Sequence, residues 1–425
     1  MVKKSLLNSG LIVISEYKPE FPSFALSYSL RSGSRVEDIN NSGIHHFIEH
    51  MMFKGSDTYS SKKIADISDR LGGRLNAFTG KEITQYYIKA IDEKLKESFD
   101  LLTDIVMNAS FPGDEFVMEK SVVLQEINES EDDPDTYAFE RFYESVFTGD
   151  GVGFPISGKE ESVSGFDREM VYGFYKKNYI PGKLLLSAVG NVDHDELVEL
   201  ANRAFARFPQ GSPEDFSFSK TRFNFKSFIN RNASLKQLYV IVGFEGIHTA
   251  SPLKYRFMIM NDILGAGMSS RLFQKIREEK GLAYTVNSFV DTYLECGIHL
   301  IYAIIEPGKS EEYLKAVKEE IVKLKETGIT EEELNRAKDH IKSSVVLGLE
   351  GNVSKMRFNV NQEFYLKREL QVKEIIENIE KVTVADINRL CRSFLNLQET
   401  SVFFYGNISE KKFAGKPGLN AFDLL

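Results

Sequence analysis

Gly43-Ile44-His45-His46-Phe47-Ile48-Glu49-His50-Met51-Met52-Phe53-Lys54-Gly55-Ser56 is the stretch that decides how this chain reads. A glycine opens it and an apolar, helix-compatible run follows, so a helix is expected after Gly43. On that helix His46 and His50 lie one turn apart on one face. Imidazoles at i and i+4 can share one metal ion, each nitrogen at about 2.0–2.1 Å. Glu49 follows His46 by three residues and precedes His50 by one, which puts its carboxylate where it can take a proton from water that the ion activates. His45 does not share a face with His50 and is expected to be structural or solvent-facing. A zinc site needs a third protein ligand and an open position. Glu119 and Glu126 are candidates: seven residues apart, they share a face of one helix, two turns from each other.

Working outward, residues 11–15 and 24–30 read as strands before the motif. After it come a helix at 62–71 stopped by Gly72-Gly73, a strand at 85–90, and helices at 94–108 and 115–127. The last of these has Val122, Val123 and Ile127 on its apolar side. A helix at 168–177, a strand at 184–189 and a helix at 194–207 complete the first half. Phe208-Pro209-Gln210-Gly211-Ser212-Pro213-Glu214-Asp215 has linker composition. The pattern then restarts, with strands at 238–244 and 298–304 and helices at 254–264, 270–279, 310–325 and 331–349. Asp167…Tyr175 followed by 184–192 resembles Asp386…Phe394 followed by 400–408. This predicts an internal duplication: an α+β chain with an N-terminal zinc-binding domain at 1–208, a linker at 209–228 and a homologous domain at 229–425 without the histidine motif.

A chain of 425 residues exceeds one ordinary core. A net charge of -9 argues against a nucleic-acid partner and favours neutral or cationic ligands. Cys296 and Cys391 have neither disulfide-framework nor metal-ligand spacing. The first residues lack a sustained apolar run and no stretch is long enough for membrane insertion, so a cytoplasmic protein without a signal peptide is expected.

The motif and its surroundings resemble the pitrilysin/insulinase family of zinc peptidases, the inverzincins. The resemblance runs over nearly the whole chain, at the length of the processing-peptidase and bacterial-peptidase branch. It implies one Zn2+ per chain held by His46, His50 and Glu126, with Glu49 as general base and Glu119 supporting catalysis. Leu71-Gly72-Gly73-Arg74-Leu75-Asn76-Ala77-Phe78-Thr79 resembles the family's edge strand, so the backbone around Asn76 and Ala77 would pair with the substrate. Phe53 would line an apolar pocket just after the cleaved bond. Arg277 and Tyr284, seven apart after Ser270-Arg271-Leu272-Phe273, would contact the bound peptide, with Tyr284 donating a hydrogen bond to it or to the developing oxyanion. The implied fold is two homologous α/β-sandwich domains, each an antiparallel-rich sheet with helices packed on it, forming half of a clamshell. A homodimer, or a heterodimer with a related chain, would complete a chamber admitting peptides or unfolded polypeptide. The function implied is a zinc-dependent metalloendopeptidase. The alternative is a non-catalytic partner or scaffold subunit, since the family contains members that kept the fold and lost the chemistry. The presence of both histidines, Glu49 and Glu126 favours the catalytic reading.

Overall fold

Six segments pair into one sheet: β1 (Val2–Leu6), β2 (Ile12–Tyr17), β3 (Ser23–Leu30), β4 (Arg74–Thr79), β5 (Thr84–Ile91) and β6 (Leu184–Gly190), in the order β1-β2-β6-β3-β5-β4. The structure is a computed structural model that describes residues 2–215, 218, 221–408 and 421–424. β2 and β6 run parallel and the other neighbours antiparallel. β6 is Leu-Leu-Leu-Ser-Ala-Val-Gly, buried along its whole length, as a strand covered on both faces must be. β4 is the edge strand, and among the described residues its ladder is with β5 alone.

A second sheet contains β7 (Ser227–Arg231), β8 (Leu238–Glu245), β9 (Ala283–Thr292), β10 (Gly297–Ile305) and β11 (Thr400–Gly406), in the order β7-β11-β8-β10-β9. Without β1, the first sheet reads β2-β6-β3-β5-β4, the same walk through the chain, and each sheet has its one parallel pair in the same place. The strand entering that pair follows a capped helix in both copies. Asp167 caps Arg168–Asn178 ahead of β6, and Thr383 caps Val384–Phe394 ahead of β11. The fold is therefore α+β with a duplicated topology.

The chain divides into two compact units: Met1–Ser130 with Phe154–Ser217 and Gly348–Glu369, and Glu131–Gly153 with Phe218–Leu347 and Leu370–Leu425. This differs from contiguous halves at 1–208 and 229–425, and the expected linker at 209–228 falls partly outside the described residues, at 216, 217, 219 and 220. The physical reason is that a sheet buried on both faces needs a helix on each. Helix Asn352–Asn361, late in sequence, covers the first sheet, with Met356 against Ala25, Tyr87 and Val189, and Val360 clustered with Ile12, Ile14 and Leu185. Helix Pro134–Val146, early in sequence, covers the second, with Ala138, Phe142 and Val146 clustered with Ile241, Leu300 and Phe403. Phe142 needs the glycine at 243, where a Cβ would meet its ring at 2.5 Å. Amphipathic periodicity shows that such a helix has an apolar face but not which sheet that face will cover.

The motif lies on α1 (Ile44–Met51), and the chain continues through α2 (Ser61–Leu71), α3 (Leu95–Met107) and α4 (Gly113–Asp132). α1 starts at Gly43 with φ 92°, where a Cβ would meet Ser157 O at 2.6 Å and Gly158 Cα at 2.7 Å, so only glycine fits. α4 extends beyond the expected 115–127. Its buried positions are Phe116, Glu119, Val123 and Ile127. Val122 is exposed rather than apolar-side, because at 100° per residue it falls off that stripe. In the second unit, the helices expected at 254–264 and 270–279 pass into π-helical turns at Asp262–Ala266 and Phe273–Glu279. Among the described residues no helix is long and apolar enough to cross a membrane, and both cysteines are buried and outside any disulfide.

Candidate metal centre

α1 buries Ile44, His45, Phe47, Ile48 and Met51 and leaves His46, Glu49 and His50 on its other face. Its first turn is fixed by Glu37, whose carboxylate accepts from Gly43 N at 2.7 Å and His45 N at 3.0 Å, two donors that no intrahelical carbonyl reaches. His45 is fully buried, with Nδ1 at 2.8 Å from Glu37 and Nε2 at 2.8 Å from the Ser32 hydroxyl. It therefore has the structural role of locking α1 onto the preceding loop and is not solvent-facing.

α4 brings two carboxylates to the open face. His46 Nε2 and His50 Nε2 are 3.2 Å apart, and Glu126 Oε2 is 3.7 Å from the first and 3.4 Å from the second. A tetrahedral ion with bonds of about 2.0–2.1 Å requires donors roughly 3.3 Å apart. These three atoms fit that spacing, and among the described residues this is the group of His, Cys, Asp and Glu donors close enough to hold an ion. His50 Nδ1 lies 2.7 Å from Glu119 Oε1. A carboxylate there accepts the Nδ1 proton, so the Nε2 lone pair is the one turned toward His46 and Glu126. Glu119 is itself buried and paired with Lys54 Nζ at 2.5 Å. Burial raises its pKa, but the hydrogen bonds from His50 and Lys54 outweigh this and hold it below the usual carboxylate range. Among the described residues His46 has no such orienting partner, its Nδ1 being buried without a hydrogen bond.

The two imidazoles are electrostatically unequal. Burial and the neighbouring His50 push His46 down to about 4. Burial acts the same way on His50, but Glu119, Glu126 and Glu49 overcome it and raise its pKa. Glu49 is raised above the usual carboxylate range by burial, opposed by the Thr79 hydroxyl that donates to its Oε2 at 2.5 Å.

Thr79 ends β4, so the edge strand and the motif helix meet at Glu49. β4 is pinned from behind. The loop before α1 bonds to the β4–β5 turn through Ser34 N to Gly80 O and Arg35 N to Lys81 O, and buried Arg35 pairs with buried Glu82, which also accepts from Tyr365. Removing one partner of such a pair costs about 3–5 kcal/mol. Asn76 and Ala77 lie in β4, and the Ala77 N–H is held by the Asn76 side chain at 2.9 Å. Phe53 is half-buried just past α1, packed on the core with its ring 6.5 Å from that of Tyr86. Arg277 and Tyr284 belong to the second unit, where the Arg277 guanidinium lies 5.0 Å from the exposed Tyr284 ring.

Thr79 and Lys54 are site residues that the motif alone does not announce. Lys54 is four residues past His50, but α1 ends at Met51, so helical spacing gives no reason to pair it with Glu119. Substituting Glu119→Gln should lower zinc affinity by roughly 10–100-fold with an unchanged fold. Competition against a chromophoric chelator measures this, and unchanged affinity would remove Glu119 from the site.

The family model described as Insulinase (Peptidase family M16) matches residues 12–160, which hold all the converging groups, and the model described as Peptidase M16 inactive domain matches residues 165–341. A protein of Rickettsia felis described as an uncharacterized zinc protease is 37% identical over 404 residues, 95% of this chain and 97% of that one. The uncharacterized zinc protease YmxG of Bacillus subtilis is 33% identical, over 92% of this chain and 95% of its own length. In fold, a protease from Helicobacter pylori superposes with a TM-score of 0.88 at 21% identity, covering 95% of this chain and 99% of that one. With its sheets, motif helix and relatives together, the chain belongs to the insulinase family, peptidase family M16.

Proposed function

We propose that this chain is a zinc-dependent metalloendopeptidase that cleaves peptides or unfolded polypeptide segments. The observation that carries this reading is the convergence of His46, His50 and Glu126 donors at ion-binding spacing with the Glu49 carboxylate on the same helix face. A divalent cation held there supplies a Lewis acid that acidifies water and polarises a carbonyl. Glu49 takes a proton from the attacking water and returns it to the leaving amine, so water adds across the peptide bond as a new carboxylate and a free amine. Thr79 fixes one oxygen of Glu49 and leaves the other for this transfer. Glu119 holds His50 in the ligating tautomer. The free edge of β4 at Asn76 and Ala77 receives the substrate backbone as an added strand, the incoming carbonyl displacing Asn76 from the Ala77 N–H. Phe53 borders the pocket after the scissile bond, and Arg277 with Tyr284 contacts the bound peptide, Tyr284 as a hydrogen-bond donor. The same reading includes one zinc ion per chain, a cytoplasmic location and a homodimer or a heterodimer with a related chain.

The test is cleavage of an internally quenched peptide by the purified chain. Turnover that a chelator abolishes and added zinc restores is the expected result. Absence of turnover at full zinc occupancy would instead support the non-catalytic subunit.

A further inference from the structure

In an antiparallel ladder, directly opposed residues share a sheet face. β4 and β5 pair Arg74 with Lys89, Asn76 with Tyr87 and Phe78 with Gln85. Leu75 and Ala77 pack on the core beneath α1, and Thr79 reaches Glu49, so the even-numbered residues of β4 occupy the opposite face. Helix Asn352–Asn361 brings a third cation there. The Arg357 guanidinium lies 4.6 Å from the Phe78 ring and 5.3 Å from that of Tyr87, with Nε 3.3 Å from Gln85 Oε1. Arg74, Lys89 and Arg357 are all exposed. Among the described residues none of the three forms an ion pair with a carboxylate, although acids outnumber bases by 62 to 53 in the chain.

We propose that this cationic face, formed by Arg357, Arg74 and Lys89 along the edge ladder, selects peptides with acidic side chains at alternate positions. The inference rests on strand addition at β4. An added strand lies about 4.7–4.9 Å from β4 and turns every second side chain to the face of Arg357. A carboxylate there meets guanidinium and ammonium groups that have no carboxylate partner among the described residues, while its neighbours in the peptide face the motif helix. The selection is therefore periodic. It runs against the net charge of the chain, which favours cationic ligands at long range.

The probes are labelled peptides of one length, with two glutamates at i and i+2 moved one residue at a time along the sequence, and the same peptides carrying glutamine or lysine instead. Binding is read by fluorescence anisotropy on the zinc-loaded Glu49→Gln chain, and cleavage of unlabelled copies on the wild type. Glutamate should improve binding over glutamine by about two- to fivefold per residue in one register and not in the adjacent one, and added salt should weaken the gain. Arg357→Glu should abolish the preference or turn it toward lysine. If that variant is poorly folded, Arg74→Glu and Lys89→Glu, at exposed positions, carry the same expectation. Equal binding of glutamate and glutamine peptides in every register, or a preference unchanged in all three variants, would overturn the proposal. Selective binding without wild-type cleavage would leave it standing and refute the peptidase reading. Cleavage without selection would do the reverse.

Discussion

Glu49→Gln should leave the chain folded and zinc-loaded but unable to cleave a quenched peptide, with a rate loss on the order of 10²–10⁴-fold. The substitution keeps the size of the side chain, and an amide oxygen can still accept from Thr79 as the carboxylate does. What it removes is the group able to accept a proton and release it again. His46, His50 and Glu126 are untouched, so metal content measured by elemental analysis should match the wild type. Near-normal turnover would show that the proton leaves by another route. Loss of metal along with activity would mean that Glu49 holds the ion rather than the proton.

Glu126→Ala should have the larger effect on the metal itself. Glu126 supplies the only anionic donor of the three, opposite two imidazoles 3.2 Å apart. Without it, two neutral nitrogens remain and the site cannot complete its protein ligand set. The affinity loss should exceed the roughly 10–100-fold that an orienting residue such as Glu119 contributes. Glu126 is not part of the buried stripe of α4, so the fold should survive. Elemental analysis after dialysis provides the check, and full zinc occupancy would place the third ligand elsewhere.

The legibility of these features in the sequence follows from their physical origin. α1 and the paired glutamates of α4 could be read directly because helical periodicity is local: i and i+4, or i and i+7, share a face whatever the rest of the chain does. The matching order of the two sheets showed through the repeat of helix followed by strand at 167–190 and 383–406. The destination of the helices at 134–146 and 352–361 did not show. Each crosses to the sheet whose other strands lie in the opposite half of the sequence, a long-range packing choice with no local signal. Val122 departs from the expected apolar face for a smaller reason. Three apolar residues close together suggest one face, but 122 and 123 are 100° apart and only the second points inward. Lys54, Thr79 and Glu37 are ordinary polar residues in sequence. They become part of the site because the turn after α1, the end of β4 and the loop before α1 converge on the motif helix. The edge strand itself shows in the sequence only through family resemblance, because six residues of mixed character carry little periodic information.

The central claim is that one ion sits between the two histidines of α1 and Glu126 of α4. Diffraction from crystals of the purified chain at the zinc absorption edge tests it most directly. The account predicts one anomalous peak per chain at about 2.0–2.1 Å from both Nε2 atoms and in contact with Glu126. A zinc-loaded crystal with no peak there, or with its peak at other residues, would contradict it.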